Sequence, residues 1–227
     1  MAHTPVVLGV LGCASPHLAV RFFEVLTART PARRDQDHFH VLITTGRDDS
    51  QLRSVHRSRV LLRAAAGLRV AGASLLVIPS GSDDRCLDDI ENAVGLPVLP
   101  WVDVAVAAAR RVAGPTAIVT GGANFDAEAY RRGFQRAGAA YLLPPPELLA
   151  LLHSCDDAPP ERAATRLISA CHQLGKMGAS SVLLACEQLA TVAERTALPL
   201  PVIDPSITAA ERILQLRLTD AQHPTCA

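Results

Sequence analysis

Aromatic side chains are scarce in this 227-residue chain, with one Trp, two Tyr and five Phe making up 4% of it. The interior therefore has to be filled with Ala, Val and Leu, which suits helices stacked closely on a parallel sheet. Excess charge is lacking too, because Lys plus Arg and Asp plus Glu both number 22. That balance removes the electrostatic basis for nucleic acid or an anionic membrane as the main partner, and leaves a small molecule as the default. No apolar run is long enough to span a bilayer. The first residues are apolar only from Val6 to Leu11, with no basic start and no cleavage-like continuation, so they read as a buried strand rather than a signal peptide. The six cysteines contain no Cys-x-x-Cys pair. This argues against a structural zinc site or a disulfide framework and for reduced thiols in the cytoplasm. The eight histidines show no His-x-x-x-His spacing, and His153, His172 and His223 lie in polar surroundings typical of a surface, so no metal is expected. Gly9-x-x-Gly12 lacks the third glycine of the dinucleotide fingerprint, so no nucleotide cofactor is expected either.

What is present is an apolar half, 49% of the chain, enough to bury a substantial core. Short β-branched runs predict strands near 5–11, 39–45, 74–79, 97–99, 115–120, 140–143, 180–185 and 201–203. Amphipathic stretches such as 126–137 and 161–177 lie between them, and 154–160 reads as a surface loop. Strands alternating with helices mean βαβ units, hence an α/β fold with parallel sheets and ligands held outside the carboxyl ends of the strands.

The pattern repeats. Gly72-Ala73-Ser74-Leu75-Leu76-Val77-Ile78-Pro79-Ser80 reads without a gap against Gly178-Ala179-Ser180-Ser181-Val182-Leu183-Leu184-Ala185-Cys186. Leu96-Pro97-Val98-Leu99-Pro100 matches Leu200-Pro201-Val202-Ile203-Asp204, and 7–12 matches 117–122. The chain thus reads as two pseudo-symmetric α/β halves, 1–113 and 114–227, with the active site expected in the cleft between them and Ser80 the counterpart of Cys186. Paired groups on opposite faces suit a planar carbanion next to a carboxylate, because moving a proton from one face to the other needs an acid or base on each. The strand-to-helix junction around Cys186 is also a place where a thiolate finds free N–H groups.

Taken together, these residues resemble the cofactor-independent aspartate/glutamate racemase family, which also takes in hydantoin racemases, maleate isomerases and arylmalonate decarboxylase. The family's first strand ending in Gly-Gly is similar to Gly9-Val10-Leu11-Gly12-Cys13, and Asp35-Gln36-Asp37-His38 resembles a stretch of the aspartate racemase branch. The family's Cys-Asn-Thr followed by Ala-His appears as Ser80-Gly81-Ser82-Asp83-Asp84 after Ile78-Pro79. Its Gly-Cys-Thr-Glu appears as Ala185-Cys186-Glu187-Gln188, and Pro201 to Pro205 matches its last strand.

The resemblance implies an isomerase without cofactor, acting by thiol-based proton transfer at the α-carbon of a small carboxylate or amino acid, and a homodimer. Cys186 is the expected acid or base. Ser80 holds the place of the other cysteine, and a serine hydroxyl is a poor base unaided; Asp83 or Asp84 is positioned to activate it or, alternatively, to cap the next helix in solvent. Gly81 and Ser82 replace the Asn and Thr that would hold a carboxylate. Glu187 replaces a Thr and would repel a carboxylate unless protonated, so ordinary aspartate or glutamate is a poor fit as substrate. Thr120, Gly121 and Gly122 can hold a carboxylate or enolate oxygen. Cys13 is a further substrate-side candidate, and Arg53, or else Arg47, lies where the aspartate branch places an arginine. The alternative activities are a one-thiol decarboxylase resembling arylmalonate decarboxylase, and a ligand-binding homologue without catalysis.

Overall fold

The structure, a computed structural model, describes residues 6–13, 16–45, 54–81, 83, 86–120, 127–155 and 158–222. All eight strands expected from the sequence are found, each shorter than expected or trimmed at an end. In chain order the elements are β1 (Val7–Leu11), α1 (Pro16–Arg29), β2 (His40–Thr44), α2 (Ser54–Val70), β3 (Leu75–Val77), α3 (Leu87–Val94), β4 (Val98–Leu99) and α4 (Trp101–Ala109). They continue with β5 (Thr116–Thr120), α5 (Ala127–Arg136), β6 (Tyr141–Leu142), α6 (Pro146–His153), α7 (Pro160–Lys176), β7 (Ser181–Ala185), α8 (Glu187–Ala193), β8 (Val202–Ile203) and α9 (Pro205–Gln222). The strands form two four-stranded parallel sheets, ordered β2-β1-β3-β4 and β6-β5-β7-β8. The fold is therefore α/β with one topology used twice.

The repeat extends to single backbone bonds. Ser74 N donates to Val7 O at 2.8 Å and Ser180 N to Pro115 O at 2.8 Å; Leu76 N donates to Pro97 O and Val182 N to Pro201 O, both at 2.9 Å. Before each of these strands the preceding helix ends on a glycine with positive φ, Gly72 at 100° and Gly178 at 98°. An L side chain is strained in that backbone conformation. The Gly-Ala-Ser signature is thus a helix-to-strand turn, closed in each half by Ala73 N to Leu68 O and Ala179 N to Leu174 O.

One part of the expected repeat needs correction. β1 meets β3 with Leu8 opposite Leu75, and β5 meets β7 with Thr116 opposite Ser181. Leu8 is therefore the counterpart of Thr116, so 7–12 matches 115–120 rather than 117–122. A slip of two residues keeps every side chain on the same face of a strand, so the apolar pattern alone reads equally well in both registers. Thr120 is the true counterpart of Gly12.

The chain gathers into two compact units, residues 1–101 with 209–227, and residues 102–208. This differs from a single division after residue 113. α4 packs with the second unit, where Val102 Cγ1 lies 2.6 Å from the position a Cβ on Gly133 would take and Asp103 Oδ1 pairs with Arg136 at 2.7 Å. Most of α9 belongs with the first, where Glu211 pairs with Arg29 at 2.9 Å.

Both cores are aliphatic, as the shortage of aromatics requires. In the first, Leu11, Leu61, Ala65, Leu76, Ile78 and Ile90 pack together. In the second, α7 buries Ala163, Leu167, Ala170, Cys171 and Leu174, a spacing of three to four that forms one helix face against Val182 and Leu184. Burial pushes the Cys171 thiol up to about 11. The segment 154–160 is not simply a surface loop, because Cys155 is buried in this second core and Pro160 opens α7. Cys155 Sγ reaches Leu151 O at 3.7 Å and Ala163 O at 3.8 Å, which ties the turn inward.

Candidate active site

In the second unit β5 and β7 are neighbours, and Thr120 lies level with Ala185 at their carboxyl ends. Thr120 is buried, and its carbonyl lies 3.2 Å from His153 Nε2 at the end of α6. His153 is therefore part of this strand end rather than a surface histidine. The expectation missed α6, whose apolar Leu148 and Leu152 turn one side to the core and carry the histidine to the sheet.

Cys186 follows β7 directly. Its backbone is extended (φ −131°, ψ 121°) and its carbonyl accepts the first helical bond of α8 from Ala190 N at 2.9 Å. Its side chain is buried, and Sγ donates to Gln188 Oε1 at 3.2 Å. Glu187, half-buried, opens α8, and its carbonyl accepts from Thr191 Oγ1 at 2.9 Å. Beside this turn runs a groove of about 500 Å³ whose walls include Glu161, Glu187, Gln188, Thr191, Val192 and Arg195. Asp204, at the end of β8, is a buried cap: its Oδ1 accepts from Ser206 N at 2.7 Å and so starts α9.

In the first unit, Ser80 lies three residues beyond the end of β3, in the stretch 78–86 that separates β3 from α3. Ser80 N donates to Ile78 O at 2.7 Å, and Ser80 and Gly81 are both buried. Asp83 is 1% exposed, and its carbonyl accepts from Cys86 N at 2.9 Å. A solvated capping role does not fit that burial. Cys13, 2% exposed, packs in the first unit's apolar core with Leu11 and Ile78. The Asp35–Asp37 stretch forms a 3₁₀ turn that Arg34 closes by pairing with Asp37 Oδ1 at 2.9 Å.

Ser82, Asp84, Gly121, Gly122, Arg47 and Arg53 lie outside the described residues. Among the described residues, no group of three or more His, Cys, Asp or Glu side chains is placed to hold a metal ion, and no helix is long and apolar enough to cross a membrane. Besides α6 and His153, the sequence reading missed the part of Gln188, visible only as a departure from a motif, and the burial of Asp83.

This architecture, a duplicated four-stranded α/β unit with a cysteine at one strand end, defines a protein class that known sequences and structures also display. The family model for Asp/Glu/hydantoin racemases matches residues 11–213, and the chain belongs to that family. Its fold is similar to that of an aspartate racemase homologue from Pyrococcus horikoshii, with a TM-score of 0.79, 15% identity, and 93% of this chain and 98% of that one covered. The aspartate racemase of Picrophilus torridus gives 0.71 at 16% identity, covering 93% of this chain and 94% of that one. Arylmalonate decarboxylase gives 0.58 at 14% identity, covering 93% and 92%.

Proposed function

We propose that this protein is a cofactor-independent racemase or epimerase that moves a proton at the α-carbon of a small carboxylate or amino acid. The observation that supports the reading is that Cys186 and Ser80 hold matching positions in the repeat and are both buried, in a chain of the racemase family. In this scheme the Cys186 sulfur, as thiolate, takes the α-proton from one face, and the electron pair left behind spreads into the carboxylate of the planar intermediate. A proton then reaches the other face from the Ser80 hydroxyl, which the Asp83 carboxyl reprotonates. The reverse direction runs the same steps backwards. Thr120 and Gly81 contribute at the carboxylate, with Ser82, Gly121 and Arg53 as further candidates. Glu187 disfavours a second acidic group on the substrate, so monocarboxylates and neutral or cationic amino acids are preferred over aspartate and glutamate.

A decarboxylase is the second reading, and the single thiol favours it. There the carbon–carbon bond to a carboxylate breaks, carbon dioxide leaves, and the Cys186 thiol delivers its proton to one face of the carbanion. Incubation in deuterated water with α-amino acids and substituted malonates, followed by chiral and mass analysis, separates the two. Exchange with inversion is expected for the racemase. Single-face labelling with release of carbon dioxide would replace it with the lyase, and no exchange with any member of the panel would sink both.

A further inference from the structure

The hydrogen bond from Cys186 to Gln188 is a detail that neither the repeat nor the family motif requires. Cys186 is 5% exposed, and the direction of its side chain is set by an extended residue between β7 and α8. Gln188 Oε1 accepts from it at 3.2 Å, while the rest of the Gln188 side chain is exposed along the groove beside α8. A sulfur that transfers protons exists in two forms with opposite needs. The thiol needs an acceptor and the thiolate needs a donor.

A carboxamide satisfies both, because its oxygen accepts and its NH2 donates, and a half-turn about the last side-chain torsion exchanges them. We propose that Gln188 is a positioning residue that serves Cys186 in both forms, accepting from the thiol and, after that half-turn, donating to the thiolate. The glutamate of the resembling motif can do only the first when ionised, and it would set a second negative charge beside the Glu187 carboxylate. The half-turn breaks the bond to sulfur and, among the described residues, no other hydrogen bond of the Gln188 side chain. The inference rests on Cys186 being the proton-transferring group.

The test is alkylation of the full-length protein by iodoacetamide across roughly pH 5.5 to 10, with Cys186 followed separately from the other cysteines by peptide mass analysis. Gln188→Glu is expected to raise the midpoint of Cys186 reactivity by about one unit, a roughly tenfold slower alkylation at neutral pH. Gln188→Met removes the carboxamide's contribution to both forms, so its midpoint is expected to stay within a few tenths of a unit of the wild type while its proton exchange slows. Coincident profiles for wild type and Gln188→Glu would overturn the proposal. So would a Met midpoint shifted by a full unit in either direction, which would mean that only one form is served. Because Gln188 is exposed, both variants are expected to keep the wild-type melting temperature. Failure of the racemase reading is distinguishable, since it would leave the midpoint shift intact and abolish deuterium exchange in every variant.

Discussion

Ser80 and Cys186 match in the repeat, but the chain leaves β3 and β7 in different ways. A single residue, 186, separates β7 from α8, whereas the nine residues 78–86 separate β3 from α3. The strand-to-strand spans hardly differ, since Val77 pairs with Leu99 and Leu183 with Ile203, a difference of two residues. The first half therefore spends its loop before the helix, at the carboxyl end of the sheet, and the second half spends it after the helix, between α8 and β8. Ligands gather at carboxyl ends of parallel strands. The long loop brings Asp83 into a buried position there, and the tight junction instead holds a thiol in one fixed direction. One duplicated frame thus carries a buried cysteine in a tight strand-to-helix junction in one half and a buried carboxyl group in a longer connection in the other.

Removing Cys186 should break this comparison most severely. Cys186→Ala is expected to reduce α-proton exchange by at least about 10³-fold, in line with the loss of a positioned acid or base, as read from deuterium incorporation. Ser80→Cys makes the two ends alike. It is expected to raise exchange with inversion by about tenfold, because a thiol ionises far more readily than a hydroxyl; unchanged or lower inversion would argue that the loop side is not a proton carrier.

Asp83→Leu tests the buried carboxyl group itself. With that group gone, inversion is expected to fall by about 10- to 100-fold. Activity retained by this variant would assign Asp83 a purely structural part.

A smaller difference between the halves lies in their long helices, where Cys171 of α7 occupies the place of Ala65 in α2, both fully buried. The folded thiol sits at about 11 against 9.0 for an exposed one. A group whose proton is held more tightly in the folded state contributes fully below pH 9, and the contribution is lost as the pH rises toward 11. Denaturant unfolding of the wild type should therefore show stability declining over that window. Cys171→Ala, which makes the second half like the first, should flatten the decline at a modest cost in packing.

Much of this architecture was legible in the order of residues. The eight strands, the helices over 127–136 and 160–176 and the Gly-Ala-Ser turns announce themselves because strand burial and positive φ are local demands met by nearby residues. Of the candidate site, Cys186 and Ser80 stand out in the sequence through the repeat. His153 did not, because its place beside Thr120 depends on α6 crossing the end of β5, a contact 33 residues apart in the chain.

The sequence by itself determined the fold class and the duplication, since these follow from periodicity and from the order of single residues. Tertiary structure alone decided the register of the first strands, because a two-residue slip leaves a strand's faces unchanged. It also decided the allotment of α4 and α9 to compact units, which depends on packing partners distant in the chain. The burial of Asp83 belongs here as well, because whether a carboxyl group meets water or core is set by the atoms that fold around it.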